Sequence, residues 1–452
     1  MSSINVKASY FKAPSSTEEG ILGVRVNCDP ISARAIHIGL IMDTSGSMEG
    51  ERISAVKKTL SVLIDRLSEG DMISVVGFSS NATTLMSAIR ITADNKATLI
   101  EQVNQLHADG GTNMESGITA MGNIFKDGLV RKPNAVALLT DGQVNEGITQ
   151  IGGLASLLRS YLSGVPIYTL GYGSDHNVDL LRSISGRTQA TYTYITNEIV
   201  LPTSIGDLLG GLQNEVASSA WISYPNRWKC LEQNAGTTSP FQMGSLIAEK
   251  PSWVVFKVPA GSEAPATFKL NYKLTGSEET QTVDIVIDDS IDRLDVLEQQ
   301  LRCTTATTLD EVTELLKRHS LGEAKAKLTQ TCELLSTCEA STRTLVIRMK
   351  AQIEEMLEEV NRLETMTPPQ PGLGRRRGHM VDFTPMVMRT SSTAQNYGAQ
   401  RGVTSNAQAL FSSPTIIRTT QTVVSQYSQI DSAHDDPHAY SPRVTPTSSS
   451  QP

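Results

Sequence analysis

The sequence predicts an α/β fold with a doubly wound, mostly parallel sheet over residues 34–216, accompanied by a β-sandwich, a C-terminal helical region and a disordered tail. Three observations carry this. Short apolar runs alternate with amphipathic helical stretches from about residue 34 to 215. Turn residues close each run. Beyond residue 217 the period changes from helical to two, and beyond 290 it becomes helical again. At 452 residues the chain is too long for one hydrophobic core, so several units are expected.

"AIHIGLIM" (35–42) reads as a buried strand. In the segment that follows, Ile53, Val56, Leu60, Leu63, Ile64 and Leu67 recur at helical spacing, and Gly70 stops the helix. "MISVVGFS" (72–79) is a second strand, and "TLMSAIRIT" (84–92) is polar enough for an edge. Helices are expected over 95–106, 114–126, 148–162 and 178–185, with strands at 134–142, 165–173 and 190–195. Strands alternating with helices imply a mostly parallel sheet covered on both faces. Residues 201–216 read as a closing helix. Period-two runs then suggest a β-sandwich over 217–289, which the strand-like residues of 1–33 are expected to join. Helices at 291–302, 308–339 and 341–365, with a break near Gly322, predict a hairpin or bundle over 290–365. Ile353, Met356, Val360 and Leu363 form a seam that reads as internal core. From 366 to 452 the composition turns to Ser, Thr, Gln, Pro and Asn, so disorder is expected there.

A net charge of −8 argues against a general nucleic-acid or anionic-membrane binder. "GRRRGH" (374–379) is the one dense basic spot and reads as a solvated linker charge. No run approaches a membrane span, and the N-terminus lacks the apolar core of a signal peptide. Five cysteines without a C-x-x-C pair give neither a disulfide framework nor zinc spacing. Cys332 and Cys338 read as small buried apolar residues. The simplest reading is a cytoplasmic protein with reduced thiols.

The chemistry gathers in three segments. "DTSGSM" (43–48) sets Asp43, Ser45 and Ser47 at every second position after the first strand. Alone, it is equally a turn in which Ser47 caps the next helix. "DGGTNM" (109–114) places Thr112 before a helix, and "LLTDGQ" (138–143) places Asp141 at a strand end. In a parallel sheet, residues 43, 112 and 141 converge on one edge. Two carboxylates that close together repel each other unless a cation intervenes. Oxygen-only donors suit Mg²⁺ or Mn²⁺, with Ca²⁺ possible. Neutral hydroxyls leave such an ion under-coordinated and positive, ready to accept an outside carboxylate.

"DTSGSM", "GGTN" and "LLTDG", in this order, resemble the von Willebrand factor A domain, and "VPIYTLGYGSDHNVDLLRSISGRTQATYTYI" resembles its last strands and helix. The resemblance covers roughly 34–215. It implies an intact metal-ion-dependent adhesion site, with Ser45, Ser47 and Thr112 touching the ion. Asp43 and Asp141 would bind it directly or through water. A protein partner would supply an Asp or Glu. The later strands add a looser resemblance to inter-alpha-trypsin inhibitor heavy chains.

Two rivals remain. One is a scaffold acting through its C-terminal helices and tail. The other is a metal-dependent hydrolase, which Ser45 disfavours because phosphoryl-transfer aspartates of the haloacid dehalogenase kind need a second Asp there. No G-x-S-x-G, H-E-x-x-H or P-loop occurs. Gln143, Asn145 and Glu146 are expected to form a specificity rim. Glu115 is expected to favour its helix start through the dipole. His37 reads as a buried, hydrogen-bonded core histidine and His176 as a solvated loop residue.

Overall fold

The computed structural model describes residues 4–11, 19–32, 34–174, 176–196, 200–232, 239–260, 267–288, 290–365, 384–398 and 414–434. Its first strands, β1 (Ile4–Phe11) and β2 (Gly20–Cys28), pair antiparallel. An α/β unit follows, built from β3 (His37–Asp43), α1 (Glu51–Arg66), β4 (Met72–Phe78), β5 (Ala82–Arg90), α2 (Lys96–Asn104) and α3 (Met114–Asn123). It continues with β6 (Ala135–Thr140), α4 (Ile151–Tyr161), β7 (Ile167–Tyr172), α5 (Val178–Arg187), β8 (Tyr192–Ile195) and α6 (Val200–Gln213). The strand order is β5-β4-β3-β6-β7-β8, parallel except for the antiparallel edge strand β5.

β3 is buried at every residue because helices cover both faces of the sheet. Ile38, Leu40 and Met42 join a core shared with α1, α2 and α6. Ile41 points the other way, into a core shared with α3, α4 and α5. From β3 the chain winds outward to β4 and β5, then returns to β6 on the far side. Connections therefore diverge at the carboxyl ends of β3 and β6, and diverging connections leave a crevice.

His37 is only 6 % exposed. Its Nδ1 lies 3.2 Å from the Arg131 carbonyl oxygen, and its Nε2 lies 2.9 Å from Ser74 Oγ. With Nδ1 donating to the carbonyl, Nε2 accepts from the serine, which in turn accepts from the Ala88 amide at 3.0 Å. Burial, partly opposed by the Arg131 hydrogen bond, lowers the imidazole to about 4. The unfolded chain therefore takes up a proton, near its ordinary value of 6.5, that the folded chain refuses. This residue's contribution is intact above pH 6.5 and is lost as the pH falls toward 4. We expect it to remove about 2 kcal/mol between pH 7 and pH 5. Urea unfolding of His37→Gln beside the wild type should show a flatter acid limb in the variant.

Beyond α6 the chain forms β9 (Glu215–Ser223), β10 (Lys229–Cys230), β11 (Phe241–Ile247), β12 (Ser252–Val258), β13 (Thr267–Leu274) and β14 (Thr280–Val286). These make two antiparallel sheets, β1-β2-β12-β10 and β11-β9-β13-β14. Leu22, Val24 and Phe256 from one and Ile222 and Leu270 from the other share a single apolar core. The first strands therefore lie beside a strand more than two hundred residues later, and the α/β unit is threaded between them.

Three helices follow: α7 (Arg293–Lys317), α8 (Leu321–Thr337) and α9 (Thr344–Thr365). The expected gap at 303–307 is absent. α7 runs through it because Cys303, Thr305 and Ala306 all bury against neighbours. The break falls earlier than Gly322, at His319, whose φ of 59° reverses the chain. Ile353, Met356 and Val360 are buried in the helical core. Cys332 and Cys338 are only half-buried at its edge, a correction to the buried role expected of them.

Within 366–452, where composition predicts disorder, two helices are described: α10 (Thr384–Gly398) and α11 (Pro414–His434). They depart from expectation because each carries a sparse apolar set that buries against the folded body. Met386, Ala394 and Tyr397 join the helical core, and Thr313 Oγ1 donates to Thr390 Oγ1 at 2.9 Å. The "GRRRGH" segment lies outside the described residues.

α11 lies across α1 and α6. Val423 and Tyr427 bury with Val62, and Gln426 bridges Arg66 and Asp65 at 2.5 and 3.1 Å. Gly206 allows this approach, since a Cβ there would sit 2.9 Å from the Thr420 Cα. Gly206→Leu should force the helices apart at an overpacking cost of about 1–3 kcal/mol, which accelerates hydrogen exchange across α11 by about tenfold or more. Gly211→Leu, placed where no atom lies within 4 Å, is the control and should leave α11 protected.

Candidate metal centre

Asp43 ends the central strand and Asp141 follows β6, so both carboxylates stand at the crevice. Both are 0 % exposed, while Ser45 and Thr112 are 2 % and 4 % exposed. Asp43 Oδ1 accepts the Ser45 amide at 2.8 Å, and Oδ2 accepts the Thr140 hydroxyl at 2.5 Å. The Ser45 and Ser47 hydroxyls lie 3.1 Å apart, and Ser47 Oγ donates to Asp141 Oδ1 at 2.7 Å. These bonds form one chain from Asp43 to Asp141. Ser47 is exposed, so the chain surfaces there.

Thr112 arrives from a third segment. The Gly46 amide donates to the Gly110 carbonyl at 3.1 Å, with Gly110 at φ +71°, where side chains other than glycine are strained. The Thr112 amide donates to Asn145 Oδ1 at 2.9 Å, and its carbonyl accepts from the Asn145 amide at 3.1 Å. A Cβ on Gly142 would lie 3.5 Å from Thr112 Oγ1 and 3.6 Å from Ser47 Oγ, so the three segments meet around that glycine.

Some details differ from the sequence reading. Ser47 does not cap α1. The cap position is Gly50, without a side-chain bond, because the Ser47 hydroxyl is committed to Asp141. Of the expected rim, Gln143, Asn145 and Glu146 are exposed, yet Asn145 spends its carbonyl oxygen on Thr112 and Glu146 accepts from Ser80 at 3.2 Å. Glu115 does stand in the first turn of α3, as expected, and its Oε2 also accepts the Ile148 amide at 2.8 Å, tying the Asp141 loop to α3. His176 is 3 % exposed rather than solvated. Its Nε2 lies 2.7 Å from the Tyr192 hydroxyl, against Gly171, which has no side chain to exclude it.

Two residues escaped the sequence reading. Thr140 holds Asp43, and its signal was a polar side chain ending an otherwise apolar strand. Arg52 forms an ion pair with Asp141 Oδ2. Its signal was a cation in the first turn of a helix, where the dipole favours acids.

Burial raises the Asp43 carboxyl above its ordinary value. The hydrogen bonds from Ser45 and Thr140 oppose this, and the charge of Asp141 adds to it. Among the described residues no group of three or more His, Cys, Asp or Glu side chains gathers to hold a metal. This cluster has two carboxylates and draws its other donors from hydroxyls. The oxygen-only donor set of Asp43, Ser45, Ser47, Thr112 and Asp141 has the chemistry that suits a hard divalent cation.

Residues 37–204 match the family model of the von Willebrand factor type A domain. The chain carries a von Willebrand factor type A domain. Such domains typically mediate protein–protein interaction and commonly bind a divalent metal. An uncharacterised protein of Synechocystis sp. is 30 % identical over 261 residues, covering 53 % of this chain and 60 % of that one. Inter-alpha-trypsin inhibitor heavy chain H3 of Mus musculus is 27 % identical over 197 residues, 42 % of this chain and 22 % of its own length. The chain thus spans less than two thirds of these relatives. Among solved structures, a von Willebrand factor type A protein from Catenulispora acidiphila aligns with a TM-score of 0.61 and 18 % identity, over 87 % of this chain and 96 % of that one. The ArnB paralog VWA2 from Sulfolobus acidocaldarius aligns with a TM-score of 0.51 and 20 % identity, over 79 % and 98 %. These two share the fold of the type A domain and its neighbouring elements. No helix among the described residues is long and apolar enough to cross a membrane.

Proposed function

We propose that this type A domain is a non-enzymatic interaction module that binds an Asp or Glu of a protein partner through Mg²⁺ or Mn²⁺. The observation that supports it most is the hydrogen-bonded chain from Asp43 through Ser45 and Ser47 to Asp141, with Thr112 Oγ1 beside it. When bound, the ion supplies a Lewis-acidic positive charge toward an incoming carboxylate. The residues do the rest. Thr140 fixes Asp43, Asn145 fixes Thr112, and the exposed Ser47 marks where an acid would enter. Hydroxyl donors carry no charge, so metal affinity without an acidic ligand is expected to be weak. Residues 34–216 would act as the binding unit, with 1–33, 217–289 and 290–365 as its support, in a cytoplasmic protein. The donors include no His or Cys, which favours binding over hydrolysis. A scaffold acting through its last helices is less favoured, since α10 and α11 bury their apolar residues against the same chain.

The test is binding of a capped Gly-Asp-Gly tripeptide to the full chain in Mg²⁺ and in EDTA, with Gly-Asn-Gly as control. Binding of the Asp peptide in Mg²⁺ alone is expected. Equal binding in EDTA, or of the Asn peptide, refutes the reading.

A further inference from the structure

We infer that Arg52 sets the charge of the metal centre, weakening its hold on the ion and strengthening its hold on the partner's carboxylate. This rests on the metal-dependent reading above and deepens it.

Arg52 lies in the first turn of α1, where the helix dipole disfavours a cation. Three site loops hold it there. Its Nη1 pairs with Asp141 Oδ2 and donates to the Ser47 carbonyl at 3.3 Å. Its guanidinium carbon lies 5.9 Å from the centroid of the Tyr172 ring, at the end of β7. A Cβ on Gly173 would come within 3.2 Å of Nη2. The side chain thus lies along the mouth of the crevice, 30 % exposed, while the carboxylate it meets is 0 % exposed.

The charge count then decides what it does. Asp43 and Asp141 together carry two negative charges, which a divalent cation cancels. A centre neutral overall would still offer an approaching carboxylate the ion's open position, but no net charge to draw it in. Arg52 leaves the loaded centre with one net positive charge. Because Asp141 is fully buried, solvent and salt screen little of the field between it and its partner. The guanidinium also reaches the surface at which an acid would approach. Its effects on the two ligands are therefore opposite in sign. It repels the cation and competes for Asp141 Oδ2, but it attracts the acid. An arginine that merely braced the loop would not move the two affinities in opposite directions.

The experiment titrates the full chain with Mn²⁺ alone, by calorimetry, for wild type, Arg52→Gln, Arg52→Met and Arg52→Lys. A second titration adds capped Gly-Asp-Gly to the Mn²⁺-saturated proteins. Arg52→Gln should bind Mn²⁺ about tenfold more tightly and the peptide about tenfold more weakly. Arg52→Met keeps the aliphatic stem over Tyr172 and should show the same opposed shifts. Arg52→Lys keeps the charge and should follow the wild type. In EDTA the Gln and Met variants should melt earlier, because Asp141 loses its counter-charge, and this readout needs no metal. Shifts in the same direction, or no shift while the wild type binds Mn²⁺, overturn the inference. No Mn²⁺ binding by any of the proteins, with or without the peptide, overturns the metal-dependent reading itself, and the inference with it.

Discussion

Arg302→Met should destabilise the chain by about 3–5 kcal/mol, the cost of leaving a buried charge without its partner. Arg302, on α7, is 0 % exposed, and its Nη2 pairs with both oxygens of Glu232 at 2.8 Å. Its Nη1 donates to the Tyr397 carbonyl of α10 at 2.8 Å, and its Nε to Gln299 at 2.8 Å. Glu232 in turn accepts the Val255 amide of β12 at 3.2 Å. One side chain therefore fastens the sandwich, α7 and α10 together. Removing it strands the Glu232 carboxylate in a site where burial has already pushed the Cys230 thiol up to about 12. Neutralising both partners should restore most of the loss, because a Gln at 232 can still accept from Val255. Calorimetric melting of Arg302→Met and of the double variant Arg302→Met, Glu232→Gln checks this. If the single variant melts like the wild type, the pair is not a fastening point.

Asp43→Asn should remove divalent-ion binding by at least about 100-fold, since losing even an indirect partner of a metal typically costs 10–100-fold. The same change should raise stability in EDTA. Asn keeps the shape, with its oxygen accepting from Ser45 and its amide donating to Thr140. It removes a fully buried negative charge that faces the charge of Asp141. A variant that melts higher without metal yet binds none would place Asp43 among residues kept for function at a cost in stability. Metal binding at wild-type affinity would remove Asp43 from the ligand set.

Much of the architecture was legible because it follows from period. β3, β4, β6 and β7 are short apolar runs closed by turn residues, and α1 repeats its buried positions at helical spacing. The clustering of Asp43, Ser45, Ser47 and Asp141 was legible for a related reason. Each lies at or just beyond the carboxyl end of a parallel strand, and neighbouring strands bring such ends together. What period could not convey was which oxygen each group would hold. Ser47 had two available partners, the helix start or a carboxylate ninety-four residues away, and only the folded crevice brings the second within 2.7 Å. α10 and α11 were missed because their apolar residues are too sparse to drive folding alone. Val423 and Tyr427 become core only against Val62. Arg302 drew no reading from the sequence, because a buried ion pair with a residue seventy positions away leaves no local signature.

The central claim is that three separate segments act as one cation site. Thr112 tests it best, because it comes from a separate segment that meets "DTSGSM" through the Gly46 amide and the Gly110 carbonyl. The measurement is a calorimetric Mg²⁺ titration of the full chain, with capped Gly-Asp-Gly present, for wild type and Thr112→Ala. Saturable binding by the wild type, at least about tenfold weaker in the variant, is the predicted result. Equal binding by both, or none by the wild type, would contradict it.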